Sequence, residues 1–441
     1  MSTTERPKNG ALAFARRNLL PLFLLVPCPA VAMLLWYTHV RLGGSVTALA
    51  HVVAARGPFA VIWDAWGPVV FGSRTAWLML GAFAAFELAL MRLLPGREFR
   101  GPITPKGNVP VYRANGPLAF AVTLAAFYGV TLGSGLLPAS IIYDHFGELL
   151  GALNLFSLAF CLALYLKGRF APSSADAGTS GSFVFDYYWG TELFPRVLGF
   201  DVKMFTNCRF GMMGWPLILI SFAAAQAQRH GLTDAMVVAV TLQLVYIAKF
   251  FWWETGYLAS LDIMHDRAGF YICWGVLVWL PSVYTSSTLY LVDHTHRLGA
   301  PLSLGILGLG LVAIFANYAA DAQRQRVRAT RGECTVFGKP PLLVAAPYTT
   351  PQGERVEGIL LASGFWGISR HFHYLPEILA AFLWTVPALF GDALPYFYVS
   401  FLTILLVHRS VRDDKRCAAK YGAAWDEYRR RVRFRIVPGI F

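Results

Sequence analysis

Apolar and polar positions alternate along this chain in long blocks. Runs of roughly 20 mostly apolar residues, the length that crosses a bilayer as a helix, fall at about 19–40, 75–94, 118–137, 147–166, 211–229, 234–253, 269–292, 300–318, 375–391 and 394–408. The last two are short and Pro387 and Pro395 bracket their connection, which predicts a tight helical hairpin. Residues 41–74 are mildly apolar but interrupted by Pro58, Gly67 and Pro68, so they predict an interfacial excursion and not a span. The fold class is therefore all-α, a polytopic membrane protein of about ten transmembrane helices.

Composition agrees with that pattern. Of 441 residues 56% are hydrophobic and 14% charged, with a mean hydropathy of +0.50; soluble domains carry about 25% charged residues. Residues 1–18 are polar and basic, and the apolar run behind them is long enough to span, so no cleaved signal peptide is expected. The net charge of +13 would suggest nucleic acid in a soluble protein, but here the cations sit in short loops. Five lie between Arg92 and Arg113, Lys167 and Arg169 follow the fourth run, four arginines from Arg324 to Arg331 follow the eighth, and ten Lys or Arg lie in 409–441. All fall on one side if ten spans leave both termini in the cytoplasm. The membrane would be that of the endoplasmic reticulum in a eukaryote or the inner membrane in a bacterium. Six scattered cysteines form no CxxC, and neither disulfides nor a metal site is expected.

The expected organisation is a cytoplasmic N-terminus (1–18), N-terminal helices (19–170), a linker (171–189) whose APSSADAGTSGS stretch reads as flexible, a catalytic transmembrane region (190–408) and a cytoplasmic tail (409–441) that helps form the site. No internal repeat is evident, which counts against many transporter folds. Polar clusters concentrate in the second half. LLASGFWGISRHFHY (360–374) mixes small residues with Phe365, Trp366, Arg370, His371, His373 and Tyr374. Glycine lets a backbone approach a ligand, aromatics supply stacking faces, and Arg and His supply cationic donors. Arg324 and Arg328 share one helix face at i, i+4 if the eighth helix continues past the membrane, and two guanidinium forks suit a phosphate. In the tail Asp413 and Asp414 sit among Arg409, Arg412, Lys415, Arg416 and Lys420, with Tyr421 and Tyr428 beyond. A carboxylate in a basic pocket is an acceptor for a ribose hydroxyl or a carboxamide. The stretch 252–271 brings Glu254, Tyr257, Asp262, His265, Asp266 and Tyr271 next to apolar sequence, where ionisable groups are costly. A looser cluster at 185–211 holds Glu192, Arg196, Asp201, Lys203 and Arg209. With no GxxxxGK[ST] and no strand-borne GxGxxG, any nucleotide is bound without a P-loop or Rossmann frame.

Several of these blocks, in one order, resemble the sterol reductase family that includes 7-dehydrocholesterol reductase, delta-14-sterol reductase and the lamin B receptor. They are GNVPVYRANG (107–116), GTELFPRVLGFDVKMFTNCRFGMMGW (190–215), HDRAGFYICWG (265–275), LLASGFWGISRHFHYL (360–375) and the 413–441 tail. The 250–285 block, PYTTPQGE (347–354) and the PGIF ending are most similar to the 7-dehydrocholesterol reductase branch. The resemblance implies a ten-helix enzyme that uses NADPH to saturate a ring double bond of a membrane sterol. It implies cofactor contacts at Arg324, Arg328, Leu361, Trp366, His373, Tyr374, Asp413, Cys417, Lys420, Tyr421 and Tyr428, with His373 standing where the family usually has Asn and Arg324 where Lys is common. An isolated double bond must be protonated before hydride adds, so the chemistry calls for an acid beside an apolar cavity. The candidates are Glu254, Tyr257, Asp262, His265, Asp266 and Tyr271, with Asp266 favoured and His265 as its proton supply. The 7,8 double bond of a 5,7-diene is the expected target and the 14,15 bond the alternative; a transporter or a non-catalytic sterol-binding protein is the reading of another class. Partners are the sterol and membrane lipid, with no nucleic acid and no metal.

Overall fold

The computed structural model describes residues 14–104, 106–349, 353 and 355–441. Most of the polar 1–18 stretch and part of the 347–354 motif lie outside the described residues. Helices dominate. Long or functionally relevant ones are α1 (Ala15–Arg41), α2 (Val46–Arg56), α3 (Pro58–Trp66), α4 (Arg74–Leu93), α5 (Gly116–Gly133), α6 (Phe146–Phe170), α7 (Met204–His230), α8 (Asp234–Trp252), α9 (Phe270–Leu291), α10 (Ala300–Ala329), α11 (Phe365–Ile368), α12 (Tyr374–Thr385), α13 (Leu394–Tyr421) and α14 (Ala423–Arg431). Among the described residues strands occur only as short antiparallel pairs: β1 (Arg97–Arg100) with β2 (Val111–Ala114), β3 (Arg196–Val197) with β4 (Phe200–Asp201), β5 (Leu343–Ala345) with β8 (Ile359–Leu361), and β6 (Tyr348–Thr349) with β7 (Arg355–Val356).

Among the described residues nine helices are long and apolar enough to cross a membrane: α1, α4 to α10 and α13. The run expected at 375–391 is helical but short, because Pro387 lies in a 3₁₀ turn (Val386–Ala388) that ends α12. Residues 46–69 form two helices bent by 116°, broken where Gly57 takes φ +81° ahead of Pro58. At the other end α13 runs without a break through the expected boundary at 408/409 and reaches Tyr421.

By its internal packing the chain divides into two compact units. The first comprises Met1–Leu232, Phe250–Thr295 and Asp392–Pro395. Its core includes Leu153, Cys161 and Leu164 of α6 against Phe270, Cys273, Trp274 and Leu277 of α9. The rings of Phe270 and Trp274 lie 4.5 Å apart and nearly parallel, and the Trp274 indole donates to Asn154 Oδ1 at 2.9 Å. Residues 171–182, expected as a flexible linker, are held in place: Asp176 accepts from Thr104 and Asn108 at 2.8 and 2.7 Å, and the Ser180 N–H donates to Asp186. Gly190 follows with φ +97°, and a Cβ there would stand 2.6 Å from the Ala268 backbone, so only glycine lets these two chains meet.

The second unit comprises Thr233–Lys249, His296–Gly391 and Tyr396–Phe441. The carboxylate of Asp234 at the start of α8 accepts from Leu298 N at 3.0 Å and Gly299 N at 2.7 Å, fixing the entry to α10. Gly310 of α10 lies against Leu242 of α8, and α10 packs along α12. Two small cores follow. Val327, Val336, Leu361 and Trp366 form one; Val344, Leu360, Trp425, Tyr428 and Val432 form the other, with Cys417 and Tyr421 against it.

Candidate functional site

The cluster around 360–374 is built on the end of α10. That helix continues to Ala329, so Arg324 and Arg328 do share a face, at its C-terminal end where cations suit the helix dipole. The β5–β8 ladder brings Leu361 opposite Leu343 and delivers the chain to Gly364, whose φ is +61°. A Cβ there would lie 2.3 Å from Gln323 Oε1, and that oxygen accepts from the Phe365 N–H at 2.9 Å. The tight turn seats α11 on α10. Trp366 is then held twice: its indole donates to the Ala320 carbonyl at 2.7 Å, and the Tyr428 hydroxyl donates to the Trp366 carbonyl at 3.2 Å.

Around the fixed indole gather the charges. The Arg324 guanidinium lies 4.0 Å over the Trp366 ring and donates to Asp321 at 2.9 Å. The His373 ring is 5.0 Å from Trp366 and 4.2 Å from Tyr374. His371 Nε2 lies 3.1 Å from Asp413 Oδ2, and the other oxygen of Asp413 accepts from Arg416 at 2.5 Å. Cys417 follows one turn along α13, its thiol 3.9 Å from Asp413. The Lys420 ammonium sits 3.7 Å over Tyr348 and 5.0 Å over Tyr421, and Arg328 lies within electrostatic reach of Cys417, Tyr421 and Tyr428. The last residues of the chain clamp the motif: Arg370 and His371 donate their backbone N–H to Phe434 O and Arg435 O at 2.9 and 2.7 Å, while the Arg370 guanidinium donates to Val432 O and Arg433 O and lies 3.3 Å from Asp414. All eleven residues expected around a cofactor thus come together in the second unit. Burial, with a smaller contribution from Arg324 and His371, pushes the His373 imidazole down to about 3, so it is neutral at physiological pH. The Nδ1 atoms of His371 and His373 are both buried without a hydrogen-bond partner among the described residues.

The expected proton donors belong to the first unit. Beyond α8 the chain forms two short helices, Glu254–Leu258 and Leu261–Met264. Glu254 is 2% exposed. Its oxygens are taken by Arg209 Nη1 at 2.5 Å and by the Gly116 N–H at 2.9 Å, and Arg209 also donates to Asn115 at 2.7 Å. This is an anchor between α5, α7 and the 254–258 helix, and a carboxylate so engaged is a poor proton donor. The Tyr257 hydroxyl accepts from Asn207 at 3.0 Å. The 262–266 loop is pinned by Lys203, fully buried, whose ammonium donates to the carbonyls of Asp262, Ile263 and Asp266 at 3.3, 2.5 and 2.7 Å. Burial holds this lysine down at about 8. Asp266 is buried and His265 exposed. Arg267 turns away to the Gly178 and Thr191 carbonyls.

Comparison with known proteins decides what this arrangement belongs to. The ergosterol biosynthesis ERG4/ERG24 family model matches residues 53–441. The chain belongs to this sterol reductase family. It is similar to 7-dehydrocholesterol reductase of Arabidopsis thaliana, 50% identical over 423 residues that cover 95% of this chain and 96% of that protein. It is also similar to 7-dehydrocholesterol reductase of Xenopus laevis, at 35% identity covering 83% of this chain and 79% of the relative. Delta(14)-sterol reductase of the bacterium Methylotuvimicrobium alcaliphilum is 36% identical over the full length of both. The family match begins at residue 53, well ahead of the first recognisable block, GNVPVYRANG at 107–116. Family membership makes the protein a multi-pass membrane oxidoreductase of sterol biosynthesis.

Within this sterol reductase the structure also shows polar groups that clusters in the sequence did not single out. Lys249 of α8 donates to Asn317 of α10 at 2.7 Å, Asn317 donates to the His373 carbonyl at 2.9 Å, and the Tyr246 hydroxyl donates to Glu377 of α12. In the first unit Glu87, fully buried in α4, accepts from Thr123 at 2.6 Å. The signal was present: each is a lone ionisable or amide residue inside an apolar run, where it is costly unless it has a purpose.

Proposed function

We propose that the protein uses NADPH to saturate the 7,8 double bond of a 5,7-diene sterol drawn from the membrane. The observation that carries this reading is the 50% identity to a plant 7-dehydrocholesterol reductase over 95% of the chain. The second-unit cluster suits the cofactor. It offers a glycine turn with no room for a Cβ at Gly364, two buried imidazole nitrogens without partners among the described residues, and an arginine with five donors that meets Asp321 through one of them.

Arg324 and Arg328 would hold the 2′-phosphate, and Trp366, Tyr374 and Leu361 would line the stacked rings. Neutral His373 has one donor and one acceptor, as an amide does, which suits a carboxamide. Asp413 would accept from hydroxyls or the carboxamide, with Cys417, Lys420, Tyr421 and Tyr428 completing the wall. NADPH, when bound, supplies the hydride. The chain's own task is the proton. It must reach one alkene carbon as the other becomes cation-like, in surroundings that keep water from trapping the cation. Asp266, with His265 as its supply, is the proposed donor; Glu254 and Tyr257 are the alternatives, and its ion pair with Arg209 disfavours Glu254. The Tyr246–Glu377 pair adds a further route, since a tyrosine hydroxyl bonded to a carboxylate can pass a proton.

Reduction at the 14,15 bond is the second reading, favoured by the end-to-end match to the bacterial delta(14)-sterol reductase. Incubating purified protein with NADPH and either a 5,7-diene or an 8,14-diene sterol, with product identification, separates the two. Loss of the 7,8 bond supports the first reading, loss of the 14,15 bond replaces it, and turnover of neither returns the protein to a sterol-binding or transport role. With the short α12 counted as a tenth crossing, the four basic stretches support termini on the cytoplasmic side, of the endoplasmic reticulum in a eukaryote or the inner membrane in a bacterium. Protease accessibility of a C-terminal tag in sealed vesicles tests this.

A further inference from the structure

Inside the second unit a line of polar groups runs through helices that are otherwise apolar. Asn317 of α10, 6% exposed, stands at its centre. Its carbonyl oxygen accepts from the Lys249 ammonium at 2.7 Å, and its NH₂ donates to the His373 carbonyl at 2.9 Å. That carbonyl also receives the Glu377 N–H at 3.3 Å as the first turn of α12 closes. The same ammonium lies 4.5 Å from the Tyr246 ring, and both Glu377 and Asp321 are within electrostatic reach of it.

An amide has one acceptor and one donor end, and it fits here in one orientation only. The Lys249 ammonium, with no acceptor capacity, requires the oxygen on its side; this turns the NH₂ toward His373. A carboxylate at 317 would keep the lysine bond and lose the other. His373 is the residue whose carbonyl is gripped and whose ring lies tilted against those of Trp366 and Tyr374. Fixing the carbonyl from α10 fixes where that ring stands. Buried polar chains are costly when half-satisfied and rigid when complete, so the line reads as a device for holding the 370–374 loop.

We propose that Asn317 is a positioning residue for the nicotinamide cofactor, gripping the His373 carbonyl while Lys249 locks the orientation of its amide. This rests on the reading of the 360–374 motif as an NADPH site, and neither residue touches the cofactor itself.

The test uses the full-length protein in nanodiscs, with NADPH affinity from fluorescence titration, KM for NADPH and for sterol, and thermal stability measured side by side. Asn317→Asp should weaken NADPH about tenfold, the loss of one hydrogen bond's worth of order, with the sterol KM within about twofold of the parent by the same scale. Lys249→Met should act in the same direction and more weakly. The double variant should be no worse than Asn317→Asp alone, because Lys249 acts through Asn317. If Asn317→Asp fails to fold, Lys249→Met carries the test. Unchanged NADPH affinity in a folded Asn317→Asp or Lys249→Met protein overturns the inference, as does a matched loss for NADPH and sterol that follows thermal stability. If the parent protein shows no saturable NADPH binding, the cofactor reading has failed and the inference falls with it, an outcome distinct from normal binding that the variants leave untouched.

Discussion

Two buried or half-buried cations show how differently the two units use charge. Lys203 in the first unit is sealed from solvent, and its three donors meet three backbone carbonyls of the 262–266 loop. Arg324 in the second unit is 32% exposed at its side chain, sits 4.0 Å over an indole, and among the described residues donates to Asp321. A lysine whose donors are all used holds structure together. An arginine with donors to spare, beside two imidazole nitrogens without partners among the described residues, is arranged to meet something that arrives later. Lys203 thus shapes a loop, and Arg324 keeps donors in reserve.

The widest break in this comparison should come at Lys203. Lys203→Met keeps the volume but strands three buried carbonyls, and should cost about 3 kcal/mol or more of stability. Arg324→Met, by contrast, should cost under about 1 kcal/mol. Thermal unfolding in detergent measures both, and equal losses would erase the distinction. Next in size, Asp266→Asn should retain NADPH and sterol binding and lose turnover by about 10²–10⁴-fold, the worth of a general acid. Tyr246→Phe run alongside asks whether the second unit supplies the proton instead; the variant with the larger loss of kcat names the donor. Trp366→Ala should weaken NADPH by about 1–3 kcal/mol through lost stacking, read by fluorescence titration. An unchanged affinity would make the indole a packing element only.

The smallest effect concerns acid. Burial holds His373 near 3 in the folded protein, whereas an unfolded histidine titrates near 6.5. Between those values the unfolded chain binds the extra proton, so stability rises with pH across that window and falls as pH drops from about 6.5 toward 3. His373→Asn, which cannot titrate, should lose less stability than the parent between pH 7 and pH 4. Parallel curves for the two proteins would place the imidazole in a more hydrated setting than the structure gives it.

Much of this was readable in the chain because the informative residues are close together in sequence. Nine of the ten expected spans follow from apolar runs alone, and the 360–374 motif carries its glycine, indole, histidines and tyrosine within 15 positions. Length misled where proline acts: α12 stops short because Pro387 ends it. Composition misled at 171–182, where small polar residues suggest a loose tether, but Asp176 is bonded across about 70 positions to Thr104 and Asn108. The roles of Glu254, Lys203 and Asn317 were out of reach for the same reason. Each depends on partners 45 or more residues away, and charge patterns in a window of sequence cannot tell a donor of protons from half of a buried ion pair.

The measurement closest to the central claim compares NADPH with NADH on a single double variant. Arg324→Ala with Arg328→Ala removes the reserved charge and leaves the Trp366 anchor to Ala320 in place. Charge-assisted contacts contribute roughly 1.5–3 kcal/mol each, so NADPH affinity should fall by at least about tenfold while NADH affinity changes little. An equal loss for the two cofactors, or none for either, would contradict the assignment of these arginines to a 2′-phosphate.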